Sequence, residues 1–204
     1  MMTDVIIVRK DEQNTSEWSG GVTTQLGIWP RGAEYKTRNF GWRVSTARVE
    51  LAESTFTALP GVHRWLMMLE GNIHLVHEGI RELDMKPFEP VAEFDGGWTT
   101  RSAGRCRDFN LMTKDGYTGG LGFVPKAASD VEVFGDSEAE SWETFYCVAP
   151  RLELSFEGKS IVLMQGDFLL LHAEAERKAA SLQIIGSYEE IPAARAFIRR
   201  TEAK

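Results

Sequence analysis

LPGVHRWLMMLEGNIHLVHEG, Leu59 to Gly79, is the stretch on which the fold turns. Two apolar runs of strand length, Arg64–Leu69 and Asn72–His77, flank the turn triplet Glu70-Gly71-Asn72, so the segment reads as a strand, a turn and a returning strand. Side chains alternate across a strand. Arg64, Leu66 and Met68 therefore share one face, and His63, Trp65 and Met67 the other.

The same pattern extends in both directions. Short runs rich in Val, Ile, Phe and Trp recur at Val5–Val8, Gln25–Pro30, Gly41–Val49, Ser54–Leu59, Pro90–Phe94 and Arg107–Met112. They continue at Glu132–Val133, Trp142–Val148, Leu152–Phe156, Lys159–Leu163, Phe168–Leu171 and Ser181–Ile185. Turn residues punctuate them, as in His77-Glu78-Gly79, Asp95-Gly96-Gly97, Phe156-Glu157-Gly158-Lys159 and Gln165-Gly166-Asp167. Many short strands at regular spacing predict an all-β sandwich or barrel. Two segments break the pattern. Asp115–Asp130, with four glycines and Pro125, reads as a linker. Pro192–Lys204 has the Ala/Arg/Ile composition of a short helix or frayed tail. The expected division is 1–114 as an N-terminal barrel with the pocket and 115–204 as a second barrel, the N-terminal strands being free to cross over.

Bulk properties exclude several functions. The formal charge is −7 and the pI about 5.2. A duplex nucleic acid would be repelled, and no dense Lys/Arg run offsets this. The Val5–Val8 run is too short for a signal peptide and no stretch approaches a membrane span, so a cytoplasmic protein without membrane contact is expected. Cys106 and Cys147 lie far apart and outside any CxxC spacing, which predicts two buried, reduced thiols. A homodimer is the assembly left open.

The Leu59–Gly79 stretch is similar to the first conserved segment of the cupin superfamily, in which the incoming strand carries metal-binding His residues and a Glu. Here Arg64 stands where that carboxylate is expected. A guanidinium is permanently charged and binds no cation. His74 and His77 are three apart, hence on opposite strand faces, and read as solvated. No metal and no other cofactor is expected, and the pocket should be cationic. Arg64 then needs a partner: Asp108 of the RDFNLM strand, or a ligand carboxylate held bidentately. Arg43 and Ser45 in GWRVSTARV, and Asp108 and Asn110 in RDFNLM, form further polar stripes in core-like strands, where unsatisfied polar groups are costly. Trp18 and SGGVTTQL add a candidate lid or packing ring, a glycine turn that brings backbone close to a pocket mouth, and Thr24 as a hydroxyl donor. The predicted ligand-binding set is Arg64, Arg43, Ser45, Thr24, Asp108, Asn110 and Trp18. No GxSxG is present and neither Cys lies near a His in sequence, so no nucleophile is predicted.

These residues carry a closer resemblance. Trp18 with SGGVTTQL, FGWRVSTARV, FTALPGVHRWLMMLEG, LDMKPFEPVAEFDG and RDFNLM together resemble the HutD/Ves family over most of the first half, with VLMQGDFLLL and LQII extending it in outline. The resemblance implies a bicupin, two cupin-like jelly-roll barrels in one chain, without the usual metal ligands. It further implies a binder of a small carboxylic acid, urocanate or formylglutamate, that moderates histidine breakdown or a stress response. Many members carry Trp-x-Asn where this chain has WSGG, so one pocket amide of the pattern is missing. The alternative from the same resemblance is a metal-free isomerase or lyase acting on a small acid, with Arg43, Asp108 or His63 taking part.

Overall fold

The computed structural model describes residues 3–135, 138–175, 178–186 and 188–202. Nineteen strands form among them. The first eleven are β1 (Asp4–Val8), β2 (Asn14–Trp18), β3 (Gly21–Trp29), β4 (Trp42–Val49), β5 (Glu53–Thr55), β6 (His63–Glu70), β7 (Ile73–His77), β8 (Arg81–Met85), β9 (Ala92–Asp95), β10 (Thr100–Ala103) and β11 (Cys106–Thr113). The others are β12 (Tyr117–Val124), β13 (Asp130–Val133), β14 (Ser141–Cys147), β15 (Arg151–Phe156), β16 (Lys159–Met164), β17 (Phe168–Ala173), β18 (Ala180–Ile185) and β19 (Ala193–Arg200). Among the described residues no helix is long and apolar enough to cross a membrane. The chain divides into two compact units. One is Asn14–Leu121; the other joins the segment ending at Gln13 to Gly122–Thr201.

The Asn14–Leu121 unit has a six-stranded sheet, β2-β3-β4-β11-β6-β9, and a four-stranded sheet, β5-β10-β7-β8. This corrects the reading of Leu59–Gly79 as a returning hairpin. β6 pairs with β11 and β9, whereas β7 pairs with β10 and β8, so the chain changes sheets at Gly71. The true hairpin is the next one, β7–β8, closed at His77 and Arg81. Gly71 is required at the crossing: its φ is +75°, and a Cβ there would lie 2.3 Å from the Arg105 carbonyl oxygen. Leu66, Met68, Leu75 and Phe94 fill the interior at one level, and Phe40, Leu59, Val62 and Met112 pack at another.

The second unit pairs a five-stranded sheet, β1-β17-β14-β19-β12, with a four-stranded one, β13-β18-β15-β16. β1 lies antiparallel to β17 from Asp4–His172 to Val8–Phe168. Asp167 secures the chain just beyond β1: its carboxylate accepts from Arg9 Nη1 at 2.6 Å, Lys10 N at 3.0 Å and Met164 N at 3.0 Å. The Phe156–Lys159 turn has Glu157 at φ +49° and Gly158 at φ +77°, the two left-handed residues a two-residue hairpin needs. One expectation fails here. Of Pro192–Lys204, expected as a short helix or frayed tail, Ala193–Arg200 is a strand: it pairs with β14 along seven residues, and Ala193, Ala194 and Ala196 are fully buried, while residues 203–204 lie outside the described residues. The boundary between the two units, Leu121/Gly122, falls inside the Asp115–Asp130 stretch read as a linker, but that stretch is not irregular throughout, since strand β12 (Tyr117–Val124) runs through it. Cys106 and Cys147 are buried and unpaired, and burial pushes both thiols up to about 12.

Candidate functional site

Register lines the polar stripes up on the inner face of the six-stranded sheet. Asn110 of β11 lies between Ser45 of β4 and Leu66 of β6; Met112 lies between Arg43 and Arg64; Asp108 lies between Ala47 and Met68. Three strands with independent sequence patterns thus present one surface, the floor of a cavity of about 610 Å³. Trp18, Thr23, Tyr35 and Phe56 contribute to the walls.

The charges on this floor are poorly compensated. Arg64 is 7 % exposed, and among the described residues its guanidinium donates only to Asn110 Oδ1, through Nε at 3.4 Å and Nη2 at 3.3 Å. It lies against the rings of both Phe56 and Phe94, 5.0 and 5.2 Å from their centroids. Arg43 donates from Nε to Gln25 Oε1 and from Nη1 to Ser45 Oγ, each at 3.0 Å, and lies 4.3 Å from the Tyr35 ring centroid. Neither arginine forms an ion pair among the described residues. Desolvation brings Arg64 down to about 10 and lowers Arg43 also. Asp108 is the carboxylate beside them. Burial raises it to about 6 against the opposing hydrogen bond from Ala47 N and the pull of Arg64 and Arg43. Its Oδ1 accepts from Ala47 N at 3.0 Å, and no donor among the described residues reaches Oδ2.

Six of the seven expected residues, Arg64, Arg43, Ser45, Asp108, Asn110 and Trp18, line this cavity. Thr24 does not. Its Oγ1 meets Thr15 Oγ1 at 3.1 Å on the other face of β3, and Thr23 lines the cavity instead. The alternation rule reveals this once β3 is registered against β4: Thr23 lies beside Ala47, on the cavity face. Asp108 is not the ion-pair partner of Arg64; Asn110 takes its hydrogen bonds. Trp18 is 39 % exposed, and its Nε1 donates to Thr23 Oγ1 at 3.2 Å. Its ring lies over Gly20, where a Cβ would fall 2.0 Å from it. Tyr35 and Phe56 line the cavity although sequence reasoning did not assign them to the site; Gln25, beside Thr24 on β3, holds Arg43 without lining the cavity. His63 points elsewhere, bonding Glu93 at 2.9 Å on the surface. The solvated reading of the histidines holds for His74, beside Asp84, but not for His77. That ring is buried against Phe94 and bonded to Thr100 Oγ1 at 2.9 Å, because it falls on the inner face with Ile73 and Leu75.

A metal ion does not suit this donor set. Two guanidiniums and an amide repel or ignore a cation, and no group of three or more His, Cys, Asp or Glu side chains gathers among the described residues. The second unit shows how a buried charge looks when satisfied. Glu143 is fully buried, and its carboxylate accepts from Arg195 Nε at 2.8 Å and from Phe134 N at 3.1 Å.

Comparison with known proteins identifies the family and the fold. The HutD family model matches residues 10–187. The structure of HutD from Pseudomonas fluorescens SBW25 superposes with a TM-score of 0.71 at 18% identity, covering 97% of this chain and 100% of that one. A conserved protein of unknown function from Pseudomonas aeruginosa PAO1 superposes with a TM-score of 0.76 at 19% identity, covering 96% and 98%. A bacterial pirin from Escherichia coli in complex with nickel(II) is similar at 8% identity, with a TM-score of 0.60 over 97% and 99% of the two chains. No curated protein matches the chain. With its all-β bicupin architecture and a family match over most of its length, this chain belongs to the HutD family.

Proposed function

We propose that the Asn14–Leu121 unit binds a small carboxylic acid without a metal. One observation carries the reading: Arg64 is buried, and neither it nor Arg43 has an anionic partner within ion-pair distance among the described residues. An isolated buried cation is costly. A ligand carboxylate that takes the free edges of the two guanidiniums, with the Asn110 amide beside them, removes that cost. Family membership points to an acid of the urocanate or formylglutamate kind, and to a role in moderating histidine breakdown or a stress response. Calorimetric titration with these two acids tests the reading. Saturable binding that is lost in Arg64→Ala is expected; absence of binding to the wild type would refute it.

A second reading is a metal-free isomerase or lyase. It draws on Asp108, a cavity carboxylate whose protonation falls near neutral pH and which therefore suits proton transfer. Conversion of a bound acid, followed by NMR, separates the two readings.

A further inference from the structure

The cavity floor is polarised along the strands. Arg43 and Arg64 originate at the level of Met112 and reach back to the next row, where Arg43 bonds Ser45 and Arg64 bonds Asn110. Asp108 stands one row further on, beside Ala47 and on the same face. Two residues of a strand span about 6–7 Å. A cationic row and an anionic group thus lie along one line at a fixed spacing, both open to the cavity.

Asp108 is only half used by the fold. One oxygen accepts from Ala47 N, which holds the β4–β11 ladder where its partner strand β6 shifts register. The other oxygen meets no donor among the described residues. At the far end of the row, Arg64 Nη1 and Asn110 Nδ2 likewise meet no acceptor among them. Unmet donors at one end and an unmet acceptor at the other describe a ligand with the reverse arrangement.

We infer that the cavity selects an amphoteric acid, a molecule with a carboxylate at one end and a protonated amine or N–H donor about 6–7 Å away, the donor being read by Asp108. This rests on the carboxylate reading and narrows it. A plain carboxylate would satisfy the arginines and leave Asp108 repelling it; an amphoteric acid satisfies both ends.

The charged and titratable groups around Asp108 are Arg43 on β4, Arg64 on β6, Arg107 and Cys106 on β11, Glu53 on β5, and Tyr35 from the segment preceding β4. Protonating Asp108 removes the acceptor and also removes the repulsion. The two ligand types must therefore respond to pH in opposite senses.

Calorimetry with matched probes tests this: 4-aminobutanoate against butanoate, and 5-aminopentanoate against pentanoate. Their amines titrate at about 10.4 and their carboxyls at about 4 to 5, so both stay largely charged between about pH 5.5 and pH 8. At about pH 7.5 the amino acid of a pair is expected to bind at least about tenfold more tightly, the value of one charge-assisted hydrogen bond. Between about pH 7.5 and pH 5.5 its affinity should fall while that of the plain acid rises. Asp108→Asn should erase the preference and both trends. Equal affinities within each pair, or like pH trends in the wild type, would overturn the inference and leave the carboxylate reading standing. Binding of neither probe type, and of no other small acid, would overturn both. The pH comparison uses only the wild type, so it decides the matter even if Asp108→Asn does not fold.

Discussion

Arg64 is a residue whose cost to the fold has no return inside the fold. A guanidinium beside Phe56 and Phe94, bonded among the described residues to one amide oxygen only, is stabilised by ring contact and little else. Replacing it with Ala is expected to weaken binding of a carboxylate by about 2–5 kcal/mol, the range found when one member of a buried charge pair is truncated. Lys should restore only part of this, because an ammonium lacks the planar fork. Calorimetry on the three proteins checks both statements. Asp108 yields a stability prediction of defined sign. Its folded value, about 6, lies above the ordinary carboxylate value of 3.8, so the folded state holds the proton more tightly than the unfolded one. Its contribution is therefore favourable below pH 3.8 and is lost as pH rises towards 6. Asp108→Asn, which can keep an oxygen for Ala47 N, should flatten this part of the stability profile. It should stabilise the protein at pH 7 by up to about 3 kcal/mol. Urea melts at pH 4 and pH 7 would show no such flattening if the prediction is wrong. Arg64, Arg43, Ser45, Asp108 and Asn110 are all legible in sequence because charged and amide side chains at alternate positions of apolar strands must be explained. Thr24 is misplaced by sequence because adjacent threonines, Thr23 and Thr24, leave the facing undetermined until register is known.

At the scale of elements, local signals are legible and pairing is not. The Glu157-Gly158 hairpin and the β7–β8 hairpin follow from residues that accept positive φ. The turn at Gly71 has the same local chemistry yet joins two different sheets, since a turn residue specifies how the chain bends and not which strand receives it. β19 shows the same gap: an Ala-rich run has weak strand preference, and its seven-residue ladder with β14 overrides that preference. Asp167 is the element-scale group most open to test. Burial pushes its carboxyl up, but bonds from Met164 N, Arg9 and Lys10 N outweigh that and hold it below the ordinary range. A depressed value means stability that is present above the ordinary value and lost as pH falls through the depressed one. Asp167→Ala should cost about 2–4 kcal/mol at pH 7, as several bonded donors lose one acceptor together. A change below about 0.5 kcal/mol, as at an ordinary surface site, would show that the turn holds without it.

At the scale of the molecule, the N-terminal strand serves the unit formed by the end of the chain. β1 edges β17, and Val5 and Ile7 pack on the core of Val124, Phe145, Leu152 and Leu171. Removing residues 1–8 should destabilise that unit by about 2–4 kcal/mol, the burial value of two partly covered aliphatic side chains. Hydrogen exchange should then quicken at β17 while the amides of β4, β6 and β11 keep their protection. Equal quickening in both units would contradict this. Elemental analysis of the purified protein should give well under one transition metal per chain, and a chelator should leave acid binding unchanged. A stoichiometric metal lost on mutating His77 would show that the cavity had been misjudged.

The all-β class, most strand positions, the absence of a metal-binding histidine pair on one strand face and the identity of the polar stripes are properties of local order along the chain. They depend on periodicity, turn chemistry and the cost of burying charge, each of which acts within a few residues. Tertiary structure alone decided that Arg43, Arg64, Asp108 and Asn110 share one floor, that Asn110 and not Asp108 meets Arg64, and that His77 lies inside. It alone decided that the segment ending at Gln13 joins the far end of the chain. The physical reason is register: a strand's neighbours are chosen by pairing between segments far apart in sequence, and a shift of one position would turn each of these side chains to the opposite face.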